Sequence, residues 1–239
     1  MSIVASRTPA PSAEGRARRP RTIRGLDAQQ RRAQRREQLL AATLDLVARH
    51  GYLNTSIEQI CQTAYVGNKA FYELFDSKED CFLALLRDIN DQIQDEVADV
   101  LRQTADDAQQ LERRALGVFA HALVDDPRIA MVTFGRAAGI SPTVERQRRI
   151  NRRQAAALIE SFWRRYDLID ADADADAGAD VGALAIATVG GLFEIVADWL
   201  HDHYPPRPGT TEALITELVE FTAVVRAGMT TRAQGRQRR

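Results

Sequence analysis

An all-α fold is predicted by three features of this 239-residue chain. Apolar residues recur at i, i+3 and i+4 spacing through most of it, the period of a helix with one buried face. Helix-start signals punctuate it: Thr55 and Ser56 before one apolar run, Asp126 with Pro127 before another, Ser141 with Pro142 before a third. The stretch that does alternate, DADADADAGAD over residues 170–180, has no β-branched or large apolar residue. It reads as a flexible acidic surface loop, and without the bidentate Glu of an EF-hand it is a poor calcium site.

In order, residues 31–50 form a helix whose buried face is Leu39, Leu40, Thr43, Leu44 and Val47, ended at Gly51. A short helix over 57–64 buries Ile57, Ile60 and Cys61. Either Thr55 with Glu58 or Ser56 with Gln59 makes its capping box. Tyr65, Val66 and Gly67 break the period, and Gly67, lacking a Cβ, is suited to closing a turn. Helical spacing resumes over 68–75 with Phe71, Leu74 and Phe75. Asp76 or Ser77 then caps a long helix over 77–104 with Cys81, Phe82, Leu85, Leu86, Ile89, Ile93, Val97 and Leu101 on one face. An amphipathic helix follows around Leu111 to Ala122, another opens at Pro127, and a long one runs from Pro142 through Trp163. The arginines at 146, 148, 149, 152 and 153 on that last helix read as a solvated face. Two further helices, over 181–203 and 210–227, are separated by Pro205, Pro206 and Pro208. Gly190 and Gly191, midway along the first of them, cost about 1 kcal/mol each against Ala. Close approach by another helix accounts for that cost.

Two short helices, a three-residue break and a second helix with polar residues at its start make a helix-turn-helix, whose second helix fits the DNA major groove. Residues 33–93 also resemble the N-terminal domain of the TetR family of transcriptional regulators. The residues that carry the likeness are His50-Gly51-Tyr52, Thr55-Ser56-Ile57, Ile60, Ala64, Val66, Phe71-Tyr72, Phe75, Ser77-Lys78-Glu79 and Phe82-Leu83. Tyr65 stands where that family usually has Gly, and Gly67 where a Ser or Thr usually caps the recognition helix.

Bulk charge is near neutral, with 32 basic against 33 acidic residues, but residues 1–36 hold ten Arg against two acids, Glu14 and Asp27. A basic arm beside a helix-turn-helix is the electrostatic footprint of nucleic-acid binding. The arm, residues 1–32, is rich in Ala, Pro, Ser and Arg and reads as disordered in the free protein. Residues 231–239 form a basic tail, part of a stretch from Arg226 that reads as frayed. Cys61 and Cys81 lie on apolar helix faces and read as small buried hydrophobes in a reducing, cytoplasmic setting. The apolar run over 181–193 reads as too short to span a bilayer, and no membrane partner is expected. His201-Asp202-His203 reads as a helix end, because residues two apart do not share a helix face. No Gly-rich phosphate loop, nucleophile elbow or CxxC appears, and four scattered His leave little for acid–base catalysis, so an enzyme is not expected, nor a cofactor or a metal.

The expected architecture is an N-terminal three-helix DNA-binding domain over residues 33–93 and a larger helical ligand-binding and dimerisation domain over 94–230. The resemblance implies a homodimer paired through its last two long helices, double-stranded DNA as partner, a small-molecule effector, and repression relieved by that effector. A regulator without a small ligand, controlled by a protein partner or working as an activator, is the alternative. Expected DNA contacts are Thr55, Ser56, Tyr72 and Lys78 on phosphates, and Asn68 and Lys69 on base edges, with Gly67 and Phe71 completing the reading unit. Phe119, His121, Met131, Phe134 and Trp163 are the residues expected around an effector.

Overall fold

The computed structural model describes residues 27–103, 107–135, 140–169, 175–203 and 209–237, and every regular element among them is helical. Helix α1, Ala28–His50, opens on a capping box: Asp27 accepts from the Gln30 N–H at 2.7 Å, and the Gln30 amide oxygen accepts from the Asp27 N–H at 2.8 Å. The helix therefore begins inside the basic stretch, at Ala28 rather than at residue 31. The rest of the arm, residues 1–26, lies outside the described residues. Gly51 ends α1 at φ 81°, its N–H donating to the Val47 carbonyl at 2.9 Å.

Helix α2, Ile57–Ala64, is capped by Ser56 and Gln59, which settles the choice between the two boxes. Thr55 is buried and donates its hydroxyl to the Gly51 carbonyl at 2.9 Å. Helix α3, Asn68–Tyr72, is shorter than the spacing predicts, and the chain turns at Glu73 and Leu74 with Phe71 and Phe75 still buried. Helix α4, Lys78–Arg102, is capped by the Ser77 hydroxyl.

Helix α5, Ala108–Val124, and helix α6, Pro127–Ala130, follow, and α6 runs on into a single π-helical turn, Met131–Gly135. Helix α7 spans Pro142–Arg165, α8 Ala175–His203 and α9 Thr211–Gln237. Two boundaries differ from expectation. Helix α8 starts within the acidic repeat, where Ala is the best helix former and Asp is favoured near a helix N-terminus. Helix α9 continues past residue 227, because Arg226 pairs with Glu112 and Met229 is buried in a core, which ties down the turn expected to fray.

Three apolar clusters organise the molecule. The first gathers α1 to α4 around Leu39, Ile60, Phe71 and Phe82, and it also takes in Val132 from the π-helical turn and Val144 from α7. The second joins α5, α6, α8 and α9 around Leu123, Val196 and Leu214. The third joins α5, α7, α8 and α9 around Leu111, Trp163 and Val189. Segment Val181–His203 is long and apolar enough to cross a membrane, contrary to the shorter run read from the sequence. Its Ala185, Val189, Leu192, Val196 and Trp199 are packed into the second and third clusters.

The two glycines of α8 differ in their surroundings. A Cβ on Gly191 would lie 2.5 Å from the Phe221 ring of α9, whereas a Cβ on Gly190 would meet nothing within 4 Å. The helix approach expected of this pair is thus made at Gly191, within one chain. Gly191→Ala is expected to lower stability by about 1–3 kcal/mol through overpacking. Gly190→Ala should leave it unchanged or raise it by up to about 1 kcal/mol. Urea denaturation of the two purified variants against wild type measures both.

Candidate nucleic-acid interface and effector cavity

The reading unit presents an exposed strip formed by Ser56 at the start of α2, Tyr65 and Gly67 in the turn, and Asn68, Lys69 and Tyr72 on α3. Phe71 sits behind it, fully buried against Phe75 with ring centroids 5.6 Å apart, so it fixes the orientation of α3 and cannot itself reach DNA. The Arg32 guanidinium donates to the Glu73 carbonyl at 3.1 Å, tying the end of α3 to α1. Arg36 grips Asp88 with both terminal nitrogens, at 2.6 and 2.8 Å, tying α1 to α4.

The turn works differently from its sequence reading. Gly67 has ordinary extended angles, φ −69° and ψ 149°, and caps α3 without a side chain. The left-handed residue is Tyr65, at φ 54° and ψ 37°, which ends α2 and donates its N–H to the Gln62 carbonyl. A left-handed conformation costs a residue with a Cβ about 1–2 kcal/mol. Here the cost falls on an aromatic ring that is 96% exposed. Tyr65 was not among the expected contacts. The signal for it was a large side chain in the turn with no core to enter, at the position where the family that residues 33–93 resemble usually has Gly.

Two expected phosphate contacts are committed elsewhere. The Lys78 ammonium donates to the Thr55 and Tyr52 carbonyls at 2.7 and 3.0 Å and lies 4.3 Å over the Tyr52 ring. Burial there pulls its pKa below the ordinary lysine value. Lys78 therefore fastens the α1–α2 loop to α4. Thr55, buried and bonded to Gly51, closes the same loop from within.

Between α4, α5, the π-helical turn, α7, α8 and α9 lies a narrow cavity of about 190 Å³. Its α4 wall runs from Leu86 to Leu101, about 22 Å of helix. The middle is apolar, with Phe119 and Phe134 each set against Phe193 at centroid distances of 5.5 and 5.6 Å. Of the residues proposed around an effector, Phe119, Phe134 and Trp163 line this cavity. His121 does not: residues two apart on a helix point to different faces. It lies in an outer groove between α4, α5 and α6, 3.1 Å from Asp125. Met131 lines neither space, since the π-helical turn directs Thr133 and Phe134 to the cavity.

Both ends of the cavity are polar, which hydrophobic periodicity does not reveal. Beside Leu101 and Trp163, Glu112 is paired with Arg226; burial pushes the Glu112 carboxyl above its usual range against the pull of Arg226. At the opposite end, beside Leu86, the wall includes Asn90, Gln94, Arg148, Asn151 and Arg152. Arg148 was read as part of a solvated arginine face. It is half-buried, while Arg146, Arg149, Arg152 and Arg153 are exposed.

The lysine fastening makes a measurable claim. Lys78→Ala leaves two backbone carbonyls without their donor and is expected to cost about 1–3 kcal/mol of folding stability. Urea unfolding with an unchanged m-value is the check, and a loss confined to DNA affinity would contradict it.

Residues 39–85 match the model for bacterial regulatory proteins of the TetR family. The HTH-type transcriptional activator FasR of Mycolicibacterium smegmatis is 26% identical over 194 residues, covering 80% of this chain and 82% of the relative. Among solved structures, the fatty acid degradation regulator FadR of Bacillus halodurans superposes with a TM-score of 0.65 at 16% identity, over 77% of this chain and 94% of that one. FadR of Bacillus subtilis, solved in complex with stearoyl-CoA, gives 0.62 at 18% identity, over 77% and 97%. The helix-turn-helix geometry and the matched residues together show that residues 39–85 form a DNA-binding domain of the type found in TetR-family bacterial regulatory proteins.

Proposed function

We propose that the protein is a cytoplasmic homodimeric repressor released from a palindromic operator by a small molecule with a long apolar chain. The observation that carries this reading is the long apolar cavity, whose α4 wall continues directly into the DNA-binding core. The likeness to a regulator solved with stearoyl-CoA supports the same ligand class. A ligand shifts the protein between states only by binding one better than the other. A cavity bordered by α4 and the π-helical turn meets that requirement, because both also enter the DNA-binding core.

Pairing through α8 and α9 is supported by apolar surface left uncovered on those helices. Val224 is 73% exposed and Ile186 44%. Only 28% of the most apolar window of Val181–His203 is buried within one chain. Two copies would set their recognition helices in successive major grooves about 34–36 Å apart, which requires a near-palindromic site. On each half-site, Asn68 and Lys69 are the base-reading residues, with Asn suited to adenine and Lys to guanine. Tyr72, which is 58% exposed, and Ser56 contact phosphates, and Tyr65 adds a contact from the turn. A second reading, activation of transcription, is favoured by the likeness to FasR. The same DNA-release machinery serves it, with the sign set by where the operator lies.

Three measurements test the proposal. Long-chain amphiphiles added to the protein on a duplex recovered by selection should release it and raise its melting temperature; a full chain-length series with neither effect would remove the ligand. Repeating the selection with Asn68→Ala should relax the consensus at one base pair of each half-site, and an identical consensus would remove Asn68 from base reading. The double variant Ile186→Arg, Val224→Arg should sediment as a monomer with weakened operator binding, and an intact dimer would place the interface elsewhere.

A further inference from the structure

The π-helical turn Met131–Gly135 belongs to two structures at once. Val132 is fully buried in the DNA-binding core, while Thr133 and Phe134 line the cavity. Single π-helical turns within helical segments are frequent at functional sites. The side chain of Arg148 pins this one from across the cavity. The Arg148 guanidinium donates to the Thr133 carbonyl at 3.0 Å and reaches the Val132 carbonyl at 3.5 Å.

Resting on the reading of the cavity as the effector site, we propose that Arg148 is its head-group sensor. An anionic head at the DNA-proximal end draws the guanidinium off the Val132 and Thr133 carbonyls and frees the turn that seats Val132 in the DNA-binding core.

The charge at this position is under-compensated. Among the described residues, no carboxylate lies within ion-pair distance of Arg148. Burial and the neighbouring Arg152 both pull its pKa down, and only Glu145, acting through space, opposes them. The guanidinium's bonds to these two carbonyls are charge-assisted on one side only, whereas an anionic head adds full Coulomb attraction and can accept from the planar guanidinium in the bidentate geometry. An anion arriving along the cavity therefore outcompetes the carbonyls. Arg152, one turn further along the same helix, and Asn151 stand at the same end to share it. The apolar tail then lies toward Phe119 and Phe193, with the Glu112–Arg226 pair closing the far end.

The turn also touches the reading unit along other lines. Helix α6, which leads into it, packs on α1, and Arg128 of α6 lies 3.9 Å from Asp45 of α1. Ser141, at the start of the helix that carries Arg148, donates to Glu79 of α4 at 3.0 Å. Loosening the turn thus acts on α1 and α4 together, which hold the recognition helix from behind.

Stearate, stearoyl-CoA and methyl stearate, each below its micelle concentration, test the proposal by operator release from the full-length protein. They share the tail and differ in the head: a carboxylate, a set of phosphates and no charge. Wild type should respond to at least one of the two anions at concentrations about tenfold lower than to the ester, an ordinary magnitude for allosteric coupling. Which anion it prefers identifies the head group. Arg148→Gln should lose that difference while keeping its response to the ester, and Arg148→Lys should retain part of it. Should the Gln variant fail to fold, hydrogen exchange in wild type gives a second readout: amides of residues 131–135 should exchange faster with the anion than with the ester. Equal potency of all three ligands on wild type, or a preserved anion preference in Arg148→Gln, overturns the sensor and leaves the cavity reading standing. No release or binding by any of them overturns the cavity reading and the sensor with it.

Discussion

Helix α4 has to satisfy more than one core. Its first turns place Cys81, Phe82, Leu85 and Leu86 among the helices of the reading unit, and its later turns place Ile93 and Leu101 beside the second and third clusters. Helices are stiff over this length, and packed interiors deform little without losing contacts. A displacement imposed along the cavity wall is therefore carried to the DNA-binding core instead of being absorbed. Most of the molecule is arranged around that shared rod: α1, itself packed on α2, lies against its start, and α5 and α7 flank the rest.

Side-chain chemistry at the start of α4 reinforces this packing. Lys78 ties the α1–α2 loop to α4 through two carbonyls and the Tyr52 ring, and Arg36 ties α1 to Asp88 one face away. The Arg36–Asp88 pair is exposed enough that its contribution is more to geometry than to stability. Cys81 fits the same logic as an internal packing group. Its thiol is fully buried 3.3 Å from the Thr43 hydroxyl, and burial raises its pKa to about 11, which keeps it protonated and unreactive at neutral pH.

The two ends of the cavity show how polar groups survive in an apolar interior. At the far end, Glu112 and Arg226 neutralise one another across α5 and α9. Such a pair is tolerated because both partners are satisfied, and removing either would leave a buried charge. At the near end the guanidinium of Arg148 is held, among the described residues, by backbone oxygens alone. The first arrangement is closed and the second is open to a better partner, which gives the cavity a direction.

The helical class, the helix-turn-helix and most helix starts were legible in the sequence because they depend on local chemistry. Apolar spacing marks a helix's buried face, and a Ser or Asp ahead of Pro or Gln marks its first turn, whatever the rest of the chain does. Exposed residues on α3, such as Asn68, Lys69 and Tyr72, follow from the same periodicity once Phe71 and Phe75 are assigned inward. What only tertiary structure decided were the contacts between residues distant in sequence. Lys78 is captured by carbonyls more than twenty residues away, and Phe119 and His121 part to opposite sides of one helix according to which neighbours α5 acquires. Of the five arginines on α7, Arg148 becomes half-buried because the π-helical turn offers it two oxygens. Spacing along a chain specifies a face, but the partner that face meets is set by the packing of the whole.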